Sequence, residues 1–396
     1  MTAGTLKRRV GLGLLTAYGV GVMVGAGIYV LIGVVVGQAG VWSPLAFLLA
    51  ALVVLPSALS YGELATRMPE AAGEVAFIER GFDSTSLAVL AGLLIVLAGM
   101  ISGAAVLRGG VGYLATVLPL PGWVLIVALG GLLGLIAALG VLESLAFAAV
   151  FTVIEVLGLL LVAWAGFTAA PVADWQLVPA PHWAGIIGAV SLCFFAFIGF
   201  EDIENLAEEV RDPSRVLPRA ILLSLAITAL LYTLVALAAV RSVPQAALAA
   251  SERPLALVWQ AGSARGTGFL ALIASAAAVN GVLAQIVMAA RVLFGLSRRA
   301  TVLAGFGAVH PRFGTPLRAT VLVAVVVIAA ALTLPVAALA ETSSVVILLV
   351  FLGVNLAAIR IKRRAPEAPF RVPGWVPVAG SLATLAALAT AFGVGT

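Results

Sequence analysis

Two carboxylates stand inside runs that are otherwise free of charge: Glu155 in FTVIEVLGLLLVAW, and Glu201 closing FFAFIGFE. An acid within a long apolar stretch is costly to keep there and marks a functional candidate. It can carry a proton, ligate a cation, or serve as a buried hydrogen-bonding partner. Two glycine points accompany the acids. Gly25-Ala26-Gly27 lies in LGLLTAYGVGVMVGAGIYVLIGVVV, and Gly199 lies in the run Phe195-Ala196-Phe197-Ile198-Gly199-Phe200 that precedes Glu201. Glycine weakens a helix, and an interrupted helix frees N–H and C=O groups that need a partner away from water. A polar ligand is one such partner; close packing through small residues is the other reading of these glycines. The remaining chemistry is sparse. There is one cysteine, Cys193, two histidines, His182 and His310, and no HExxH or GxSxG motif, so zinc, redox and nucleophilic hydrolysis are not expected.

The elements that hold these residues follow from composition. Hydrophobic residues make up 63% and charged residues 10% of the 396-residue chain, with a mean hydropathy of +1.20. Soluble domains carry about 25% charged residues, so the expected surroundings are a lipid bilayer. The net charge of +5 sits in short loops beside apolar runs and predicts membrane orientation, not nucleic-acid binding. Apolar runs of about 20 residues predict spans near 12–36, 43–66, 84–107, 122–141, 144–168, 183–209, 218–240, 267–296, 316–334, 341–361 and 375–394. The opening MTAGTLKRRVGLGLL is read as the start of the first span, since its apolar run continues to Val36 without a clear cleavage site. With the N-terminus in the cytoplasm and the C-terminus outside, only Arg108, Arg241, Arg253 and Arg265 of the 22 basic residues lie outside. That is the asymmetry of the positive-inside rule.

The two glycine points fall in the first and sixth spans, five spans apart. Because five is odd, equivalent halves would enter the bilayer from opposite sides, as in an inverted repeat. The predicted fold is therefore an all-α polytopic membrane protein. It has a first five-helix repeat over 1–170, a second over 183–362, and an additional C-terminal helix over 375–394. Helix breaks of this kind suit a zwitterion: a carboxylate at half-helix N–H groups and an ammonium at freed carbonyls.

Three stretches carry a family resemblance: Gly25-Ala26-Gly27-Ile28-Tyr29, SYGELATRMPEAAGEVAFIERGF from Ser60 to Phe82, and FFAFIGFEDIENLAEEVRDPSRVLPRAI from Phe194 to Ile221. With these the chain resembles the amino acid–polyamine–organocation (APC) superfamily of permeases over nearly its whole length. The resemblance implies a LeuT-like 5+5 inverted repeat plus one helix, with a central site between the first, third, sixth, eighth and tenth spans. It implies that backbone N–H groups around Gly25, Ala26 and Gly27 hold a substrate carboxylate, and that the carbonyls of Met23, Phe195 and Ile198 take the ammonium. Ala196 and Gly199 complete the second break, and Phe195 forms an aromatic lid. Many relatives have serine at the place of Ala26, so backbone amides here do more of the binding. Some proton-coupled relatives have a lysine at the place of Glu155, which makes that acid the first candidate for coupling; Glu201 matches a glutamate that caps the sixth-span break and serves in gating.

Weaker cavity candidates are Asn280, Gln285 and Ser102, with Ala98 and Gly99 leaving room for a substrate side chain. Glu204, Glu208, Glu209, Arg211, Asp212, Arg215 and Arg219 are expected on a solvated loop face. Arg67, Glu70, Glu74, Glu79 and Arg80 are expected on an amphipathic surface helix. The function expected is secondary active transport of an amino acid by alternating access in the cell membrane, with a proton as coupling ion, neutral substrates and no cofactor. Exchange, uniport, amine transport and sensing without transport remain alternatives.

Overall fold

The computed structural model describes residues 10–25, 27–69, 73–140, 145–176, 179–263 and 268–391. Its helices, in chain order, are α1 Leu12–Val24, α2 Gly27–Ala39, α3 Ser43–Arg67, α4 Gly73–Phe82, α5 Thr85–Leu114, α6 Gly122–Leu139, α7 Leu145–Thr168 and α8 Ala173–Gln176. They continue with α9 Trp183–Phe195, α10 Pro213–Ser242, α11 Gln245–Ala250, α12 Pro254–Gly262, α13 Gly268–Leu296, α14 Leu317–Thr333, α15 Val336–Arg364 and α16 Trp375–Ala391. Among the described residues, eight segments are long and apolar enough to cross a membrane by length and composition, and three shorter apolar helices accompany them: α9, α14 and α16. The chain is thus an all-helical, polytopic membrane protein. The expected first span is divided between α1 and α2. The expected sixth is divided between α9 and a 3-10 helix over Glu201–Glu209.

A 13-residue half such as α1 or α9 extends about 20 Å, well short of a hydrocarbon core about 30 Å thick. Each half therefore ends inside the protein, where its terminal backbone groups must be met by neighbours. The unbroken helices supply that frame. Along α5, Gly92, Gly99, Gly103 and Gly110 recur at helical spacing; added Cβ atoms there would meet Leu296, Met288, Gln285 and Ala278 of α13 in turn. Such small-residue seams let two helices pack closely without an apolar driving force from water. From α10, Ser224 Oγ donates to Thr16 O at 3.0 Å and Tyr232 Oη to Met23 O at 2.6 Å, fixing α1 at two levels.

The two broken elements are also tied at one end. Val10 N–H donates to Glu209 O at 2.9 Å, and Arg211 N–H donates back to Val10 O at 3.0 Å. Nearby, α3 and α15 are joined by a buried ion network. Glu63 accepts from Arg67 and Lys362, and its Oε2 also accepts from the Val372 N–H at 2.9 Å. Arg67 in turn donates to the carbonyls of Ala365 and Glu367, pinning the segment that follows α15.

Candidate functional site

The helical path of the first element stops after Val24 and resumes at Gly27, with Gly25 at φ −1°, ψ −171°. The path of α9 loosens into turns over Ala196–Gly199 before the 3-10 helix begins. Gly199 has φ +120°, a conformation open to glycine and strained for other residues. A Cβ there would lie 2.6 Å from Val22 Cγ1 and 3.3 Å from Met23 N, so the second break presses directly on the first. Its N–H donates to Glu201 Oε2 at 2.8 Å. A carboxylate two residues on thus satisfies a backbone donor that the break would otherwise leave unpaired.

A small cleft lies between the breaks. Met23, Gly25 and Gly27 line it from the first element, and Phe195, Ala196 and Ile198 from the sixth. Ser102 and Val106 of α5 close one side, and Gly281 and Gln285 of α13 the other. Among the described residues no charged side chain faces it. Phe195 places its ring 3.5 Å from the point a Gly27 Cβ would occupy, across the mouth of α2. The first N–H groups of α2 have no partner within their own helix, and their dipole favours an anion.

Of the three carbonyls implied for an ammonium, two are already engaged on one lone pair. Met23 O accepts from Tyr232 Oη, and Phe195 O accepts from the Ile198 N–H at 3.2 Å. The Ile198 carbonyl accepts no hydrogen bond among the described residues. Gly199 packs behind the cleft against Val22 and does not line it. Ala26 lies outside the described residues.

Glu155 is apart from this cleft. It is fully buried in α7, where Oε1 accepts from Asn280 Nδ2 at 3.2 Å, and Oε2 has no hydrogen-bond partner among the described residues. Asn280 therefore does not line the cleft but joins α13 to α7. Cys193 is a buried thiol packed in the core.

A second small cleft adjoins the first at Ile198 and Gln285, which line both. Ala98 and Gly99 lie here, as does Glu201, together with Glu74 and Asp202. Two expectations are corrected at this point. The helix α4 is amphipathic, but Glu74 sits on its buried face at 3% exposure, not on a surface. Glu204, expected on a solvated face, is 1% exposed, and its carboxyl lies where a Cβ on Gly73 would stand at the start of α4. The physical reason is the 3-10 winding after the break, which turns Glu201, Asp202 and Glu204 inward toward α4. Burial pushes the Glu74 carboxyl above the usual carboxylate range. Among the described residues no group of three His, Cys, Asp or Glu side chains is placed to hold a metal ion.

Sequence reasoning missed Tyr232, Tyr113 and Asp202. Tyr113 Oη donates to Tyr29 O at 2.7 Å, one turn into α2. Both tyrosines obey the rule that a buried hydroxyl must find an acceptor, but which carbonyl each one meets is set by the tertiary fold.

The amino acid permease family model matches residues 12–395. The branched-chain amino acid permease BcaP of Bacillus subtilis is 30% identical over 96% of this chain and 87% of its own length. Cationic amino acid transporter 4 of Homo sapiens is 30% identical over 89% of this chain and 60% of its own. The methylthioribose transporter of Bacillus subtilis is 28% identical over 92% and 83%. The match spans both helix breaks and every helix that frames them, and the chain belongs to the amino acid permease family within the APC superfamily, whose members are transporters and not enzymes.

Proposed function

We propose that this permease is a secondary active carrier that moves neutral amino acids together with a proton by alternating access. The observation that carries the reading is the pair of helix breaks facing one another across an uncharged cleft. The substrate carboxylate meets the N–H groups at the start of α2 around Gly25, Ala26 and Gly27. The ammonium meets the Ile198 carbonyl and the remaining lone pairs of Met23 and Phe195, and Phe195 covers the bound molecule. A net-neutral zwitterion suits a cleft without charged side chains, because neither of its charges is left unpaired there.

Glu155 is the proposed proton carrier. It is buried between α7 and α13 with one carboxylate oxygen lacking a partner among the described residues, an arrangement in which adding or removing a proton changes the local cost most. In this scheme two inverted five-helix repeats, 1–170 and 183–362, move against one another, and the helix 375–394 stands outside them. The membrane is the cell membrane, with the N-terminus in the cytoplasm and the C-terminus outside. Counterflow of a labelled neutral amino acid panel into proteoliposomes tests the reading. Exchange of at least one member, and its concentrative uptake under an inward proton gradient, is expected. Binding without any counterflow would make the protein a sensor, and absence of binding by all of them would remove the site.

A further inference from the structure

Tyr29 belongs to two places at once. It is the third residue of α2, so its backbone N–H lies in the first turn, whose donors have no partner within the helix. Its side chain reaches α7. The Tyr29 hydroxyl lies 3.4 Å from the point that a Gly158 Cβ would occupy, and Gly158 stands three residues after Glu155. Residues three apart on a helix are neighbours on one face, and Glu155 acts electrostatically on the Tyr29 hydroxyl. The ring is held edge-on to Tyr113 at 6.0 Å, while Tyr113 Oη donates to Tyr29 O.

Both ends of this approach are incomplete. Tyr29 Oη and Glu155 Oε2 are each buried with no hydrogen-bond partner among the described residues. Two such atoms beside one turn of one helix are rare in a finished core, and the surrounding groups narrow what can serve them. Of the helices packed on α7, α1 and α12 carry no charged residue, and the Tyr18 hydroxyl of α1 is acted on by Asp202, Arg291 and Glu201. α10 presents Tyr232, which Glu155 also acts on but which is committed to Met23 O. Its Arg241 donates to the Gly166 and Ala169 carbonyls at the far end of α7, and its Arg215 and Arg219 stand at the opposite end of α10. α13 presents Asn280, which donates to Oε1, with Arg291 about three turns further on. The Asn280 N–H serves the carboxyl group as a donor only. A hydroxyl both donates and accepts, so it suits a carboxylate and a carboxylic acid alike.

We propose that Tyr29 is a positioning residue for the proton on Glu155: its hydroxyl donates to Oε2 while the carboxylate is charged, and accepts from the Oε2–H once the proton has arrived. Side-chain rotation closes the remaining approach. The one covalent bond that forms is the O–H on Oε2, and the phenol keeps its own proton in both states. The inference rests on the reading of Glu155 as the proton carrier. Because Tyr29 sits in the first turn of α2, a tilt of α2 as it takes or releases a substrate carboxylate moves the hydroxyl relative to α7. Proton and substrate thereby act on one residue.

The test is an infrared pH titration of the purified full-length protein, following the protonated-carboxyl C=O band that Glu155→Gln removes. Loss of a donor to the charged form disfavours that form, so the band's midpoint in Tyr29→Phe is expected to rise by about one pH unit or more, a tenfold change. The band is also expected to shift in frequency, because the acid's O–H loses its acceptor. A merely structural role of the ring moves neither. In the wild type, ring-deuterated tyrosine is expected to reveal a tyrosine C–O change at the same midpoint; its absence overturns the proposal even if Tyr29→Phe fails to fold. A Glu155 band with wild-type midpoint and frequency in a folded Tyr29→Phe overturns it as well, and leaves the proton carrier standing. A Glu155 band that is absent, or constant across the pH range, refutes the carrier reading together with this inference.

Discussion

Asn280 donates from its side-chain amide to Glu155 Oε1 at 3.2 Å, and the other oxygen of that carboxylate is buried with no described partner. The pair joins α7 to α13 through a group whose charge can change. In the proposed mechanism its position beside the cleft and not in it separates the proton's place from the substrate's. Glu155→Gln keeps the shape and removes the titration. Uptake driven by a pH gradient is expected to be abolished while counterflow of the same labelled amino acid continues; gradient-driven uptake at the wild-type level would reject Glu155 as the carrier.

Gly199 holds the sixth-element break at φ +120° with its α-hydrogens against Val22. Gly199→Ala combines a strained backbone, about 1–3 kcal/mol, with a contact 2.6 Å from Val22 Cγ1. A lower thermal midpoint in detergent and loss of most counterflow are expected. A variant with wild-type midpoint and transport would show that the two breaks need not touch.

Tyr232 reaches Met23 O from α10 while its ring packs on Phe47 and, at the other break, Phe197. Tyr232→Phe keeps the rings and deletes the one donor, leaving a buried carbonyl short of a partner at a cost of about 1–3 kcal/mol. Binding of neutral amino acids is expected to weaken about tenfold, equally across side chains. A change confined to one substrate would place Tyr232 in side-chain recognition instead.

Glu63 holds Arg67 and Lys362 with side-chain exposures of 2%, 7% and 12%. Removing one partner of a buried ion group costs about 3–5 kcal/mol, because the others are left uncompensated. Glu63→Gln is therefore expected to lower thermal stability more than any surface charge substitution such as Arg215→Gln. Equal midpoints would show that this network contributes little.

The long helices and the two breaks were legible in the sequence because lipid imposes a simple rule: about 20 apolar residues per crossing, with glycine marking the interruptions. Gly199 beside Glu201 could be read as a break and its cap because the partners are two residues apart. The inward turn of Glu74, Asp202 and Glu204 could not. It depends on 3-10 winding after the break and on how α4 docks, and a run of charges at the end of an apolar span reads equally well as a solvated loop. Tyr232 was hidden for a similar reason: it stands in a long, mostly apolar stretch of α10, and only the tertiary fold brings that hydroxyl to Met23. The division of the first and sixth spans into short halves also leaves α9 too short to count as a crossing by length alone.

In the proposed binding mode, free backbone groups at two helix breaks hold both ends of a zwitterion. Its most direct test is calorimetric binding of leucine beside two analogues: isocaproate, which lacks the ammonium, and isoamylamine, which lacks the carboxylate. Each lost charge forfeits hydrogen bonds worth about 1.5–3 kcal/mol, so both analogues are expected to bind at least ten times more weakly than leucine. Binding of either analogue as tightly as leucine would contradict the claim.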